Sequence, residues 1–275
     1  MQSFEYTWQS VDGIPFYGQG WAPETPKAVV CLVHGLGEHS GRYAHMGKAY
    51  AQAGYALLGF DLRGHGKSGG RRGHAPSFEA FMQDIDRLLE EAGSRYPGLP
   101  RFIYGHSLGG ILTLNYALSR KPDVNGVITS AAGLRTAIEQ QKGKVFLARV
   151  FGSVIPSVVI PSGLDPNTIS RTPEVVQRYV SDPLVHDKLS FGMGKSVMGA
   201  IAWAFEHAPE FPAPLLVMHG TADQLGFASG SQEFASKVEG DCTFKAWEGL
   251  AHELHNEPEQ AEVFEYTIAW MEAHL

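Results

Sequence analysis

Short apolar runs alternate along this chain with longer stretches in which apolar residues recur every three or four positions. The runs at 28–33, 55–60, 101–104, 126–130, 215–219 and 242–247 read as strands, and those at 4–8 and 14–21 suggest an opening hairpin. The stretches at 42–53, 78–96, 107–119, about 227–238 and 258–274 read as helices. Strand and helix taking turns argues for an α/β protein: a mostly parallel sheet covered by helices on both faces. No internal repeat or low-complexity tract interrupts the pattern.

Between 133 and 210 the alternation stops. Helical patterns there are separated by Pro156, Pro161, Pro166, Pro173 and Pro183. This segment reads as an inserted helical cap, on a core built from 1–132 and 211–275. Its run from Val145 through Phe146, Phe151 and Ile155, followed by Val158-Val159-Ile160, is unusually apolar. One reading is packing against the core; the other adds an acyl-chain tunnel or contact with a membrane or micelle. Arg149, Gly152 and Pro156 break the run, so it does not read as a membrane span.

A chain of 275 residues suits one such domain with an insertion, and 44% hydrophobic residues are ample for its core. The formal charge of −7 weighs against a nucleic-acid partner. Cys31 and Cys242 both sit in strand-like runs and read as small buried hydrophobes of a reducing compartment. Met1-Gln2-Ser3-Phe4-Glu5-Tyr6 carries no secretory pattern. A cytoplasmic protein, at most peripheral to a membrane, is the expectation.

The chemistry is concentrated after the run at 101–104, in Gly105-His106-Ser107-Leu108-Gly109. This G-x-S-x-G reads as a nucleophile elbow, a strained strand-to-helix turn that exposes a serine above the sheet edge. Glycines stand where side chains would collide with the helix and the neighbouring strand. An ordinary tight turn is the alternative, since 32 glycines can produce the pattern by chance. A serine nucleophile needs an imidazole base and an orienting carboxylate, in the chain order Ser, Asp or Glu, His. Asp223 follows the run at 215–219, and His252 follows the run at 242–247. Asp223 has a rival role as a helix cap, and His255 competes with His252 as the base; His252 lies nearer its strand end. His34, His65, His106 and His219 sit in glycine-rich turns and read as local hydrogen-bonding residues; no metal-binding pattern accompanies them. Acyl transfer also needs oxyanion donors, for which the backbone N–H groups of Leu108 and Leu36 are the candidates.

These residues lie in segments that resemble a known family. His34-Gly-Leu-Gly-Glu-His-Ser-Gly-Arg-Tyr43, Asp61-Leu-Arg-Gly-His-Gly-Lys-Ser68, Gly105-His-Ser-Leu-Gly-Gly110, Ser181-Asp-Pro-Leu184, His219-Gly-Thr-Ala-Asp223 and His252-Glu-Leu-His255 resemble, in order, the motifs of monoacylglycerol lipases and related lysophospholipase-like serine hydrolases. The resemblance spans nearly the whole chain. It implies the α/β-hydrolase fold with a helical cap, a triad of Ser107, Asp223 and His252, and an oxyanion hole of Leu36 and Leu108. It also implies lipid ester substrates of the glycerol-ester class and no cofactor. Glu38, Arg42, Tyr179 and His255 are candidates for binding a glycerol head group, against a structural Glu–Arg–His network and plain packing of Tyr179. Animal members commonly carry a cysteine shortly after the triad Asp; here the segment is Gln224-Leu-Gly-Phe227, closer to a bacterial member. Lysophospholipase, carboxylesterase or perhydrolase activity on the same fold stays open, as does a non-catalytic ligand-binding role. The serine at the elbow argues against dehalogenase or epoxide hydrolase chemistry, which needs an acidic nucleophile. Oligomeric state is not legible.

Overall fold

A computed structural model describes residues 1–136, 143 and 150–275. Eight strands form one sheet in the order β1-β2-β4-β3-β5-β6-β9-β10. They are β1 (Gln2–Gln9), β2 (Pro15–Ala22), β3 (Ala28–Val33), β4 (Tyr55–Phe60), β5 (Arg101–His106), β6 (Gly126–Ser130), β9 (Leu215–Gly220) and β10 (Cys242–Trp247). The β1–β2 and β2–β4 pairs are antiparallel; all others are parallel. This is the expected α/β-hydrolase sheet.

The continuous apolar runs are explained by burial on both faces. In β3, Val29, Cys31 and Val33 point into one core while Ala28, Val30 and Leu32 point into the other. The first core is closed by α2 (Phe78–Arg95) and α3 (Leu108–Arg120) through Phe81, Ile85, Leu88 and Leu112. The second is closed by α1 (Ala44–Gln52) and, after the insertion, the C-terminal helix Gln260–Glu272, through Met46, Tyr50, Val263 and Trp270. The helix expected from residue 42 starts with a 3-10 turn, Ser40–Tyr43.

Among the described residues, the segment between β6 and β9 contains β7 (Val159–Pro161), α4 (Pro173–Ser181), β8 (Lys188–Ser190) and α5 (Phe191–His207). Helical patterning alone was expected here, yet β7 and β8 pair as an antiparallel ribbon. β-Branched Val159 and Ile160 favour it, and Pro161 is tolerated at its edge. Ala200 and Ala204 of α5 pack into a third core with Ile111 and Leu114 of α3 and Phe234 of α6 (Ala228–Lys237). The C-terminal helix is therefore α7. Residues 145–149 of the apolar run lie outside the described residues. Phe151 and Ile155 are partly exposed, as are Val158 and Ile160, and Val154 and Val180 are 72% and 64% exposed.

The chain runs outward from β3 in both directions, to β4 on one side and β5 on the other. The crevice beyond the C-terminal ends of β3 and β5 is where open α/β sheets bind ligands. Ser107 and Leu36 both lie there, directly past those strand ends.

Candidate active site

Ser107 joins β5 to α3 with φ 53° and ψ −114°, one of three non-glycine residues with positive φ among the described residues. The turn is tight because two backbones cross. A Cβ on Gly109 would lie 2.0 Å from the Val33 carbonyl oxygen, and one on Gly105 would lie 2.4 Å from the Gly109 carbonyl oxygen. The expected collisions with strand and helix are both present. Ser107 N–H donates to Ser130 O at 3.0 Å, tying the elbow to β6.

His252 lies on the loop after β10. It is buried, and its Nδ1 donates to Asp223 Oδ2 at 2.7 Å. Burial alone lowers the affinity of the His252 ring for a proton; the Asp223 carboxylate outweighs it and raises the pKa above its ordinary value. Asp223 follows β9. Its Oδ1 accepts from the backbone N–H of Leu225 at 2.8 Å and of Gly226 at 3.1 Å. Its Oδ2 also faces His219 Nε2 at 2.9 Å. Burial pushes the Asp223 carboxyl up, and the neighbouring His252 ring and the two imidazole hydrogen bonds pull it well below the usual carboxylate range. Asp223 does not cap α6, whose N-cap Phe227 has no side-chain cap. Its Oδ1 instead closes a turn over residues 223–226.

The local bond expected of His219 is made to Asp223, to which it is a second donor. A carboxylate only accepts, so Nε2 carries the proton and Nδ1 accepts from Ser231 Oγ at 2.7 Å. His219 and Asp223 thus hold each other across the turn that follows β9. His106, inside the elbow, packs 4.9 Å from the His252 ring. Burial, then the neighbouring His252, drives its pKa down to about 3, so it stays neutral beside the base. Its Nδ1 donates to Ser130 O at 3.1 Å. His34 and His65 bond within their turns, His34 Nδ1 donating to Gly35 O at 2.8 Å and His65 Nδ1 to Arg63 O at 3.0 Å, while His34 Nε2 accepts from the distant Leu62 N–H at 2.9 Å.

Ser107 and His252 line two adjoining cavities. One, of about 290 Å³, is the more polar of the two: Glu38, Tyr179, His186, Asp165, Asp187 and Glu253 line it among apolar side chains such as Leu164, Ile169 and Val185. The other, of about 190 Å³, is almost wholly apolar. One face of α5 forms its wall, with Met193, Val197 and Ile201 at i, i+4 and i+8. That spacing is present in the sequence but was not singled out there. Leu36 and Leu108 line the apolar cavity beside Ser107. Leu108 is the first residue of α3, so its N–H has no acceptor within the helix.

The four head-group candidates separate. Glu38 and Tyr179 line the polar cavity; Arg42 and His255 do not. Arg42 forks onto Glu253 at 2.6 and 2.7 Å, reaches Glu38 at 2.8 Å, and lies 4.7 Å over the Tyr179 ring. Glu38 Oε1 accepts from Gly35 N–H at 2.7 Å and Tyr43 OH at 2.8 Å, bracing the loop that carries Leu36. Burial opposes ionisation of Glu38, and Arg42 overcomes it, holding the carboxyl well below its usual range. His255 is fully buried, stacked 4.3 Å from Tyr43. Glu38, Glu253 and His255 bring three ligand-type atoms within 4.8 Å of one another, but Arg42 already supplies both carboxylates with a cation.

The remaining motifs fasten the insertion to this site. Asp182 accepts from His39 Nε2 at 3.0 Å, and His186 N–H donates to Gly37 O at 2.9 Å. Asp61 Oδ1 accepts from Ser40 N–H and Oγ, at 2.8 and 2.6 Å.

Residues 24–259 match the Hydrolase_4 family, described as serine aminopeptidase, S33. The chain is 35% identical to a monoacylglycerol lipase of Mycolicibacterium smegmatis, over 98% of both chains. It is 38% identical to an uncharacterized abhydrolase domain-containing protein of Dictyostelium discoideum, covering 93% of this chain but only 27% of that longer protein. The crystal structure of Paleococcus ferrophilus monoacylglycerol lipase superposes with a TM-score of 0.86 at 35% identity, covering 100% of both chains. The chain belongs to the serine aminopeptidase S33 family of serine hydrolases, with the α/β-hydrolase fold.

Proposed function

We propose that this protein hydrolyses monoacylglycerols to glycerol and a fatty acid through an acyl-enzyme on Ser107. The observation that carries this reading is the meeting, at one serine, of a cavity of mixed lining that holds several charged and hydroxyl groups and a cavity that is almost wholly apolar. A substrate with one acyl chain and a hydroxylated head matches that division. Its carbonyl carbon is attacked by Ser107 Oγ while His252 Nε2 takes the hydroxyl proton. Asp223 holds the ring in the tautomer that leaves Nε2 free and stabilises the imidazolium. The backbone N–H groups of Leu36 and Leu108 hold the oxyanion. His252 then protonates the departing glycerol oxygen, and water, deprotonated by the same ring, releases the fatty acid.

Glu38 and Tyr179 face the head group, while Arg42 and His255 hold Glu38 and its loop from behind. The segment 133–210 acts as the cap. Its exposed apolar residues Phe151, Val154, Ile155 and Val180 support contact with a lipid surface. Among the described residues, no helix is long and apolar enough to cross a membrane. The free cysteines and a charge of −7 support a cytoplasmic protein with no nucleic-acid partner.

The test is kcat/KM on a panel: monooleoylglycerol, trioleoylglycerol, lysophosphatidylcholine and an aminopeptidase amide. A triacylglycerol offers no free hydroxyl to the polar cavity, and each unmet buried group costs about 1–3 kcal/mol. Monooleoylglycerol should lead by at least about ten-fold. A preference for lysophosphatidylcholine would establish the lysophospholipase alternative instead, and a preference for the amide would make the protein a peptidase.

A further inference from the structure

We propose that Glu257 is a positioning residue that clasps the insertion to the loop carrying His252, so that seating of the insertion and alignment of the base are one event. This rests on the reading of His252 as the base. The first half of that loop is held by the core: Thr221 N–H donates to Trp247 O at 2.9 Å and Ala222 N–H to Leu250 O at 3.0 Å. The residues flanking His252 are held differently. On one side, Glu253 N–H donates to Ile169 O, in the insertion, at 2.8 Å. On the other, Ala251 N–H donates to Glu257 Oε2 at 3.0 Å.

Glu257 is itself gripped by the insertion. Its Oε1 accepts from Ser170 Oγ at 2.6 Å and from Arg171 N–H at 2.8 Å, and Arg171 Nε donates to Oε2. The carboxylate is fully buried, and its acceptor capacity is used by the two partners it joins. Three consecutive residues, 169–171, therefore fix both N–H groups beside His252, one directly and one through Glu257. Ile169 also lines the polar cavity. An insertion displaced at this point frees the Glu253 N–H and loosens the carboxylate that holds the Ala251 N–H, leaving Arg42 on the Glu253 side chain and Asp223 on the ring as the remaining anchors. A misplacement of about 1 Å at a catalytic group costs on the order of a hundred-fold in rate.

The test is Glu257→Gln, which keeps the volume but turns one acceptor oxygen into a donor. With p-nitrophenyl butyrate, kcat should fall about ten- to hundred-fold while KM moves less than about two-fold. The downfield proton resonance of the His252 Nδ1–H should weaken or shift. Ser170→Ala changes no charge and should lower kcat in the same direction. The double variant should be no worse than Glu257→Gln alone, because the two act through one contact. A lower melting temperature with unchanged kcat and resonance would overturn the proposal, as would losses that simply add. If Glu257→Gln does not fold, an unchanged kcat in Ser170→Ala overturns it. Ser107→Ala, run alongside, keeps the two readings apart. Hydrolysis surviving in that variant sinks the serine mechanism, whereas a dead Ser107→Ala with an unaffected Glu257→Gln sinks the clasp alone.

Discussion

Asp223→Asn probes the relay most sharply, because the structure dictates which way the new amide must face. Oδ1 of Asp223 accepts two backbone N–H groups, from Leu225 at 2.8 Å and Gly226 at 3.1 Å. The asparagine carbonyl oxygen must take that position. The flipped amide would oppose N–H to N–H twice in a buried site, at about 1–3 kcal/mol for each unmet group, and backbone N–H groups, unlike imidazoles, have no tautomer to offer instead. The amide NH2 therefore lands where Oδ2 faces His252 Nδ1 and His219 Nε2, and both rings must turn a lone pair to it, His219 by shifting its proton to Nδ1 and donating to Ser231 Oγ. His252 must then present a lone pair at Nδ1 and carry its proton on Nε2, so the nitrogen that should receive the Ser107 proton is blocked. The wrong tautomer costs about 10⁴ in kcat in serine proteases, or about 5.5 kcal/mol. The pH profile changes too. Asp223 raises the pKa of His252 above 6.5, so wild-type activity is lost as pH falls through that raised value, where the ring takes a proton and ceases to be a base. In Asp223→Asn the acid limb moves to lower pH. The assay is kcat against pH with p-nitrophenyl butyrate, on protein with wild-type circular dichroism. A variant within ten-fold of wild type, or one with an unmoved acid limb, would refute the reasoning.

Three further outcomes follow from the same geometry. His252→Ala should abolish turnover of any ester, while His255→Ala, which removes a ring outside both cavities, should retain it; the reverse order would reassign the base. Gly109→Ala should yield little folded or active protein, since its Cβ meets the Val33 carbonyl oxygen at 2.0 Å; a fully active variant would show that the elbow relaxes freely. Val197→Trp fills the apolar cavity from the α5 wall, so kcat/KM on long-chain monoacylglycerols should drop more than on butyrate esters. Each methylene denied burial costs about 0.8 kcal/mol, close to four-fold, and an equal drop on both would place the acyl chain elsewhere.

Much of this architecture is legible in the sequence because parallel strands buried on both faces must be continuously apolar. The strands at 28–33, 55–60 and 126–130 coincide with the runs that announced them. The elbow is legible for a related reason: only glycine can stand where Val33 and Gly109 cross. The ribbon of β7 and β8 is not, because three-residue strands carry no period and are paired by the surrounding chain. Nor is the direction of Arg42 and His255. Their proximity to the loop in sequence suggested a substrate pocket, but a cation between Glu38 and Glu253, and a ring stacked on Tyr43, are settled by tertiary packing. His219 shows a third limit: a residue inside a recognised motif can hold a functional partner that spacing alone does not distinguish from turn chemistry.

The central claim is that Ser107 is the nucleophile and His252 its base. Its most direct test is intact-mass and peptide analysis after a brief exposure to a fluorophosphonate. The account predicts one phosphonyl group per chain, on the peptide containing Gly105-His106-Ser107-Leu108-Gly109. It should be absent in Ser107→Ala and slowed by orders of magnitude in His252→Ala. Stoichiometric labelling at another residue, or undiminished labelling in folded Ser107→Ala, would contradict it.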